Sequence, residues 1–177
     1  MKAIMISIQP QWVSKILNKE KLVEIRKTMP KCELPCKVYI YCTKGKKLYK
    51  CVSNFDEDLL NGKVVAEFTL NKADILERDL NDWLPKNRYD ISNDLLKDIN
   101  LNQNELWNYG QGKILYAWHI DDLKVYDKPK LLQVFFKPCG DCDKKDTDRC
   151  IYEDSYCRAK VIRPPKSYCY VEELEDE

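Results

Sequence analysis

A lysine, a glutamate and an arginine stand close together early in the chain: Lys21, Glu24 and Arg26. Val23 and Ile25 alternate with them, a pattern typical of a strand, in which residues two apart lie on the same face. Glu24 and Arg26 are therefore predicted to share one face. Basic side chains donate to phosphates or base edges, and a carboxylate accepts from an exocyclic amine. The pattern indicates either a nucleotide site or an ion pair worth about 0–1 kcal/mol at a surface.

Aromatic residues near this strand offer stacking surfaces for a base. Trp12 precedes the strand in a predicted helix, and Tyr116 and Trp118 alternate with Ala117 and His119 further along the chain. An exposed ring stacks on a base with about 1–3 kcal/mol, whereas most tryptophans are largely buried. We interpret His119 as a structural residue rather than a general base, although two aspartates follow it.

Four cysteines stand within 19 positions of a charged segment: Cys139, Cys142, Cys150 and Cys157. The first two form a CxxC knuckle of the kind that binds Zn²⁺ through thiolates. A metal would offset the cost of ordering a segment with little apolar area. The second pair lacks this spacing, so a structural zinc site and reduced thiols both remain open, whereas disulfides are disfavoured. Cys32 and Cys36 are alternate zinc ligands.

The elements that must position these residues are mostly short strands. A helix is predicted after Pro10, because Trp12, Val13 and Ile16 fall on one helical face. Strands are predicted at 4–8, 22–26, 37–42, 64–70, 114–120, 123–126 and 168–171, with 114–120 and 123–126 forming a pair across a turn at Asp121–Asp122. Val23 and Ile25 are expected to fill the interior. Without a regular β-α-β alternation, these elements indicate a small mixed sheet or partly closed barrel rather than a doubly wound sheet.

The 177 residues are predicted to form a single domain. Three segments interrupt or extend it: an acidic helical insert at 74–109, a Cys-rich loop at 139–158 and an acidic tail at 172–177. The apolar runs are too short to cross a bilayer, and the N-terminus lacks a signal-peptide pattern. We therefore expect a cytoplasmic protein that does not bind membranes. The chain has five glycines and no glycine-rich phosphate loop.

The net charge of +1 hides an asymmetry along the chain. Residues 1–50 carry 12 Lys/Arg and 3 Glu, a net +9, whereas residues 51–110 carry 6 basic and 12 acidic residues, a net −6. A basic segment is what a phosphate-binding surface requires, although solvated lysines alone have the same composition.

The run Ser7-Ile8-Gln9-Pro10-Gln11-Trp12, followed by Lys21-x-x-Glu24-x-Arg26, resembles the ASCH domain of the PUA-like superfamily. Lys19 stands where that family's signature usually has a glycine, while 62–68 resembles its central strand and 116–123 resembles its later barrel strands. The resemblance implies an α+β fold: a PUA-like (ASCH) small mixed β-barrel with an early helix, a helical insert and a Cys-rich loop. It also implies a cleft beside the first helix that holds RNA or a modified nucleotide. The ligand-binding residues would be Trp12, Lys21, Glu24 and Arg26.

The resemblance leaves an enzymatic alternative open. One branch of ASCH-like proteins hydrolyses an acetylated cytidine with a lysine of this motif, a threonine three residues later and a separate glutamate. Lys21 matches that lysine, but Glu24 stands in place of the threonine, which puts this chemistry in doubt. Other relatives are ribonucleases. The favoured function is binding of RNA or a modified nucleotide, and a hydrolase using Lys21 and Glu24 is the alternative. A protein-interaction module acting through 74–109 is a third hypothesis.

Overall fold

The computed structural model describes residues 2–45, 60–80, 87–138 and 160–174. Its elements in chain order are β1 (Lys2–Ile8), α1 (Pro10–Leu17), β2 (Val23–Arg26), β3 (Cys36–Cys42), β4 (Val64–Leu70), β5 (Ala73–Leu76), α2 (Asn93–Ile99), α3 (Gln103–Gly110), β6 (Leu115–His119), β7 (Asp121–Lys130), a 3₁₀ helix (Leu132–Val134) and β8 (Tyr168–Glu172). None of the helices within these ranges is long and apolar enough to span a bilayer.

The strands form two sheets. The larger has the order β7-β4-β3-β1-β8, and the smaller has the order β2-β6-β5. Strands β1 and β3 run parallel, and the other pairs are antiparallel. The predicted mixed α+β fold is confirmed, but in the described ranges no ladder joins the two sheets. The expected barrel is therefore a loose description of two separate sheets.

The main core lies between the larger sheet, helix α1 and the smaller sheet. Ile4 and Ile6 of β1, Val38 and Ile40 of β3 and Trp118 of β6 are buried in it. The alternate residues of β1 are buried as well, in a second cluster on the other face of the sheet. Strand β1 is thus covered on both faces, which explains its nearly continuous apolar sequence.

The segment predicted as a helical insert is only partly helical. Helices α2 and α3 are confirmed, but Ala73–Leu76 is strand β5, in register with Leu115–Trp118 of β6. The sequence here fits a short helix, and pairing with a distant strand overrides that local pattern. Trp83 and Leu84, which were assigned to the same helices, lie outside the described residues.

Strands β6 and β7 follow one another, as the sequence predicts, but they do not pair as a hairpin. Strand β6 lies in the smaller sheet beside β2 and β5, whereas β7 pairs with β4 in the larger sheet. At Asp122 the backbone adopts a left-handed conformation, with φ of 49°. The turn predicted at Asp121–Asp122 is wrong: both residues belong to β7, where Asp121 pairs with Thr69 and the register shifts before the Glu67–Lys124 pair, and the chain changes sheets at Ile120.

Candidate functional site

The turn between α1 and β2 sets the position of Lys21. Helix α1 ends in a Schellman motif, in which the amide of Lys19 donates to the carbonyl of Ile16 (2.9 Å) and the amide of Glu20 donates to that of Lys15 (2.8 Å). This motif requires a left-handed residue, and Lys19 has φ of 59°. Glycine is favoured at such a position, which agrees with the glycine of the family's signature. In this chain Lys19 adopts the same left-handed conformation.

The end of α2 is fixed against this turn. Asn100 caps α2 in a left-handed conformation. Its Oδ1 accepts from Lys15 Nζ at 2.6 Å, and its Nδ2 donates to the Glu20 carbonyl at 3.1 Å. The amide of Leu22 also donates to the carbonyl of Asp98 at 2.8 Å. These contacts bring the carbonyl of Ile99 to the start of β2.

Lys21, Glu24 and Arg26 form one continuous arrangement, called here the charged row. Lys21 Nζ donates to the Ile99 carbonyl at 2.7 Å and lies 3.6 Å from Glu24 Oε2. Arg26 Nε lies 3.3 Å from Glu24 Oε1, and its Nη2 donates to the Ser7 carbonyl at 3.0 Å. The three residues are only 2%, 9% and 7% exposed. The sequence-level alternative of a surface ion pair does not describe this site, because all three groups are largely removed from solvent.

The electrostatics of the charged row leave a positive excess. Burial lowers the pKa of Lys21, and the neighbouring Glu24 carboxylate only partly offsets that effect. With Lys21 and Arg26 charged, the row carries two cations and one anion. Arg26 Nε is buried without a well-aligned hydrogen bond. A buried donor without an aligned partner is costly, so the charged row is held at some cost to stability.

The side chains of β2 face opposite ways from the prediction, in which Val23 and Ile25 fill the interior. Val23 and Ile25 do not fill the interior between the sheets; they pack with Ile99 and Leu106 under helices α2 and α3. Glu24 pairs in register with Trp118 of β6, whose side chain belongs to the main core. The polar face of β2 therefore points toward the space between the sheets, because the helices cover the apolar face.

All four residues predicted to bind a ligand lie along one cleft of about 1490 Å³. Trp12 is partly buried at its edge, with Lys21 Nζ 5.6 Å from the ring centroid. Further lining residues come from β1, from the segments just after β2 and β3 and from the segment before β8, among them Ser7, Lys27, Lys44, Pro165 and Lys166. The structure thus brings the lysine, the carboxylate, the guanidinium and the indole together.

Sequence reasoning missed Tyr109 of α3, which also lines the cleft and is 39% exposed. Lys27 Nζ lies 4.7 Å from the centroid of its ring. Burial raises the pKa of Tyr109, so its hydroxyl stays protonated and able to donate. Only the packing of α3 against β2 brings this residue to the cleft, and no local spacing in the sequence indicates it.

His119 lies apart from the lining residues of the cleft. Its Nε2 is 2.7 Å from Asp74 Oδ2, and Lys72 Nζ is 2.7 Å from Asp74 Oδ1. Burial raises the pKa of Asp74, but the hydrogen bonds from Lys72 and His119 outweigh it and lower the pKa overall. The partner of His119 is therefore Asp74 of β5 rather than the aspartates that follow it in sequence. Trp118 is fully buried and presents no stacking surface.

The predicted zinc ligands Cys139, Cys142, Cys150 and Cys157 all lie outside the described residues, and the zinc site stays a prediction. The alternate ligands Cys32 and Cys36 are neighbours, with their sulfur atoms 3.1 Å apart. Within the described ranges, no third histidine, cysteine or carboxylate joins them in a group suited to a metal.

Comparisons with known proteins agree with this architecture. No family model matches the sequence, and no curated protein matches it. Among solved structures, the crystal structure of ASCH from Zymomonas mobilis has a TM-score of 0.51 at 14% identity, over 96% of this chain and 87% of that chain. A serine-to-alanine mutant of the same protein has a TM-score of 0.53 at 15% identity, over 96% and 88% of the two chains. The protein therefore has an ASCH-like fold.

Proposed function

We propose that this protein binds RNA or a modified nucleotide in the cleft lined by Trp12 and the charged row. The observation that carries the proposal is a buried row of two cations and one carboxylate that opens into a cleft beside an indole. Charges held out of water interact strongly with a ligand, since the local dielectric is low. The ASCH-like fold supports the proposal, because the resemblance in sequence implied this cleft.

Each group in the row has a chemical role in this proposal. The distances from Glu24 to Lys21 (3.6 Å) and Arg26 (3.3 Å) are longer than the roughly 2.7–2.9 Å of charge-assisted hydrogen bonds. The carboxylate thus keeps the capacity to accept from the exocyclic amine of a base. Arg26 lines the cleft and places a cation there for a base carbonyl or a phosphate oxygen, and the ring of Trp12 offers a stacking surface.

The proposal is tested by fluorescence anisotropy with labelled single-stranded RNA hexamers and by calorimetry with nucleoside monophosphates. Arg26→Ala is expected to weaken binding about tenfold or more, because it removes a buried charged donor. Lys72→Ala is the matched control: it removes the same charge from a side chain that is 65% exposed and lies outside the cleft lining, and it should change affinity less than about twofold. Circular dichroism verifies that both variants fold. Equal affinity of the two variants would refute the site.

A hydrolase is the second candidate, and one observation favours it. Lys21 is an amine with a lowered pKa, 3.6 Å from a carboxylate, in a cleft. Amines of this kind serve as general bases in enzymes. Turnover of RNA or of modified nucleosides that disappears in Lys21→Met, while binding and folding persist, would establish the enzyme. Tight binding without turnover across the substrate panel would leave the binding function alone.

A further inference from the structure

We propose that the cleft takes single-stranded RNA of at least two nucleotides, with the second base lying on an apolar shelf formed by Leu131, Ile162, Pro164 and Pro165. All four residues line the same cleft as the charged row. The inference rests on the proposed function, and it adds to that cleft a second subsite, which a free nucleoside or nucleotide would leave empty.

The shelf exposes large aliphatic side chains at fixed positions. Leu131 is 55% exposed and Ile162 is 70% exposed. Their neighbours in sequence, Leu132 and Val161, are buried in the second core cluster, and the amide of Val161 donates to the carbonyl of Phe135 at 2.8 Å. The backbone under the shelf is therefore anchored, so the exposed side chains cannot turn inward. Exposed apolar side chains that line a common cleft mark a binding site more often than scattered ones do.

A single residue connects the shelf to the charged row. The carbonyl of Ser7 accepts from Arg26 Nη2 at 3.0 Å. The hydroxyl of Ser7 donates to the carbonyl of Pro165 at 2.7 Å, and its amide donates to the carbonyl of Ser167 at 3.0 Å. The shelf thus begins one residue away from the guanidinium. A base held at the charged row and the next base along the strand can occupy the two places together.

The size and charge of the cleft agree with a strand of RNA. Its volume of about 1490 Å³ exceeds the roughly 300–1,000 Å³ typical of small-molecule pockets. Among the described residues that line it, five are basic and two are acidic. Three of the basic residues, Lys27, Lys44 and Lys166, lie outside the charged row. An apolar shelf alone would also suit a peptide, but an excess of cations beside it favours RNA, whose phosphates lie between its bases.

The test compares two probes and two variants. The probes are a labelled RNA hexamer and the four ribonucleoside monophosphates. The shelf variant is Leu131→Ser/Ile162→Ser, and the control is Ile75→Ser, which alters an isoleucine that is 61% exposed outside the cleft lining. The shelf variant is expected to lose about fivefold or more in hexamer affinity while its monophosphate affinity stays within about twofold of wild type. The control should change neither.

The outcomes separate this inference from the proposed function. If the hexamer binds wild type no more tightly than a monophosphate does, or if the shelf variant binds it as wild type does, the shelf inference is overturned and the proposed function stands. An equal loss for both probes in the shelf variant also overturns it, because the effect would then come from the charged row or from folding. If wild type binds neither probe, both proposals fail.

Discussion

At the scale of single residues, Lys21 places a positive charge in the cleft, and the burial of this charge lowers the free energy of unfolding. Burial lowers its pKa even though Glu24 stands nearby and the Ile99 carbonyl accepts from it. Between the lowered pKa and the ordinary value, the unfolded chain binds more protons than the folded chain does. Stability therefore rises with pH in that window, and the cost of burying the charge is present in full below it.

Replacement of this lysine by a neutral residue of similar length gives the first prediction. Lys21→Met should unfold at pH 7 within about 1 kcal/mol of wild type, because removal of a buried charge offsets the lost contacts. As the pH rises from 7 toward 10, wild type should gain stability relative to the variant. Urea unfolding of both proteins at several pH values measures this difference. A difference that stays constant, or that shifts in favour of the variant, would contradict the burial argument.

The sequence predicts that the residues of the charged row lie together, but it does not predict which elements pack around them. Strand alternation placed Glu24 and Arg26 on one face, and the structure has them on one face. Which face the protein covers depends on α2 and α3, elements about 70 or more positions away in sequence that no local pattern connects to β2. Tyr109 escaped notice for the same reason.

At the scale of elements, the end of α1 carries a strain that glycine would relieve. A left-handed residue other than glycine costs about 1–2 kcal/mol, and glycine gives back part of this through the entropy of the unfolded chain. Lys19→Gly is therefore expected to stabilise the protein by about 0.5–1 kcal/mol. Asn18→Gly is the control, since Asn18 has φ of −83° and glycine should destabilise the protein at that position. Calorimetric melting ranks the three proteins, and a loss of stability in Lys19→Gly would show that its side chain is needed.

Helix α3 ends in a close contact that requires a glycine. A Cβ on Gly110 would lie 1.9 Å from Tyr89 Oη and 2.8 Å from Leu115 Cδ1. The tyrosine cannot move easily, because it is fully buried and its hydroxyl donates to the Lys113 carbonyl at 2.8 Å. Gly110→Ala is expected to cost about 1–3 kcal/mol in urea unfolding. Adding Tyr89→Phe should make the combined loss smaller than the sum of the two single losses; strict additivity would argue against the clash.

The sequence predicted individual elements better than their partners. Strand β1, helix α1, strands β3 and β4 and helix α2 occur where periodicity indicated them, and α3 lies within the segment predicted to be helical. Strand β5 was assigned to a helix, and β6 and β7 were assigned to one hairpin. Both errors concern pairing: a four-residue strand has little signal of its own, and β7 begins at Asp121 as a partner of β4 in the other sheet. Local pattern determines neither outcome.

At the scale of the whole molecule, the cleft is a junction of distant parts of the chain. Four parts of the chain contribute to it: the carbonyl of Ser7 near the end of β1, the polar face of β2, the end of α2 and the segment before β8. The charged row itself holds these parts together, because Lys21 donates to the carbonyl of Ile99 and Arg26 donates to the carbonyl of Ser7. The net charge of +1 adds little long-range attraction, and binding must depend on the cations in the cleft itself.

The salt dependence of RNA binding tests this view of the molecule. Each phosphate contact on a single strand contributes about −0.7 to the slope of log K against log salt. If the three lysines of the cleft outside the charged row each contact a phosphate, the slope for a hexamer should be about −2, measured by anisotropy over a range of KCl concentrations. Lys166→Ala should make the slope shallower by about 0.7 and weaken all sequences alike. A much steeper slope, unchanged in Lys166→Ala, would mean that RNA is held by basic residues elsewhere on the surface and not by the cleft.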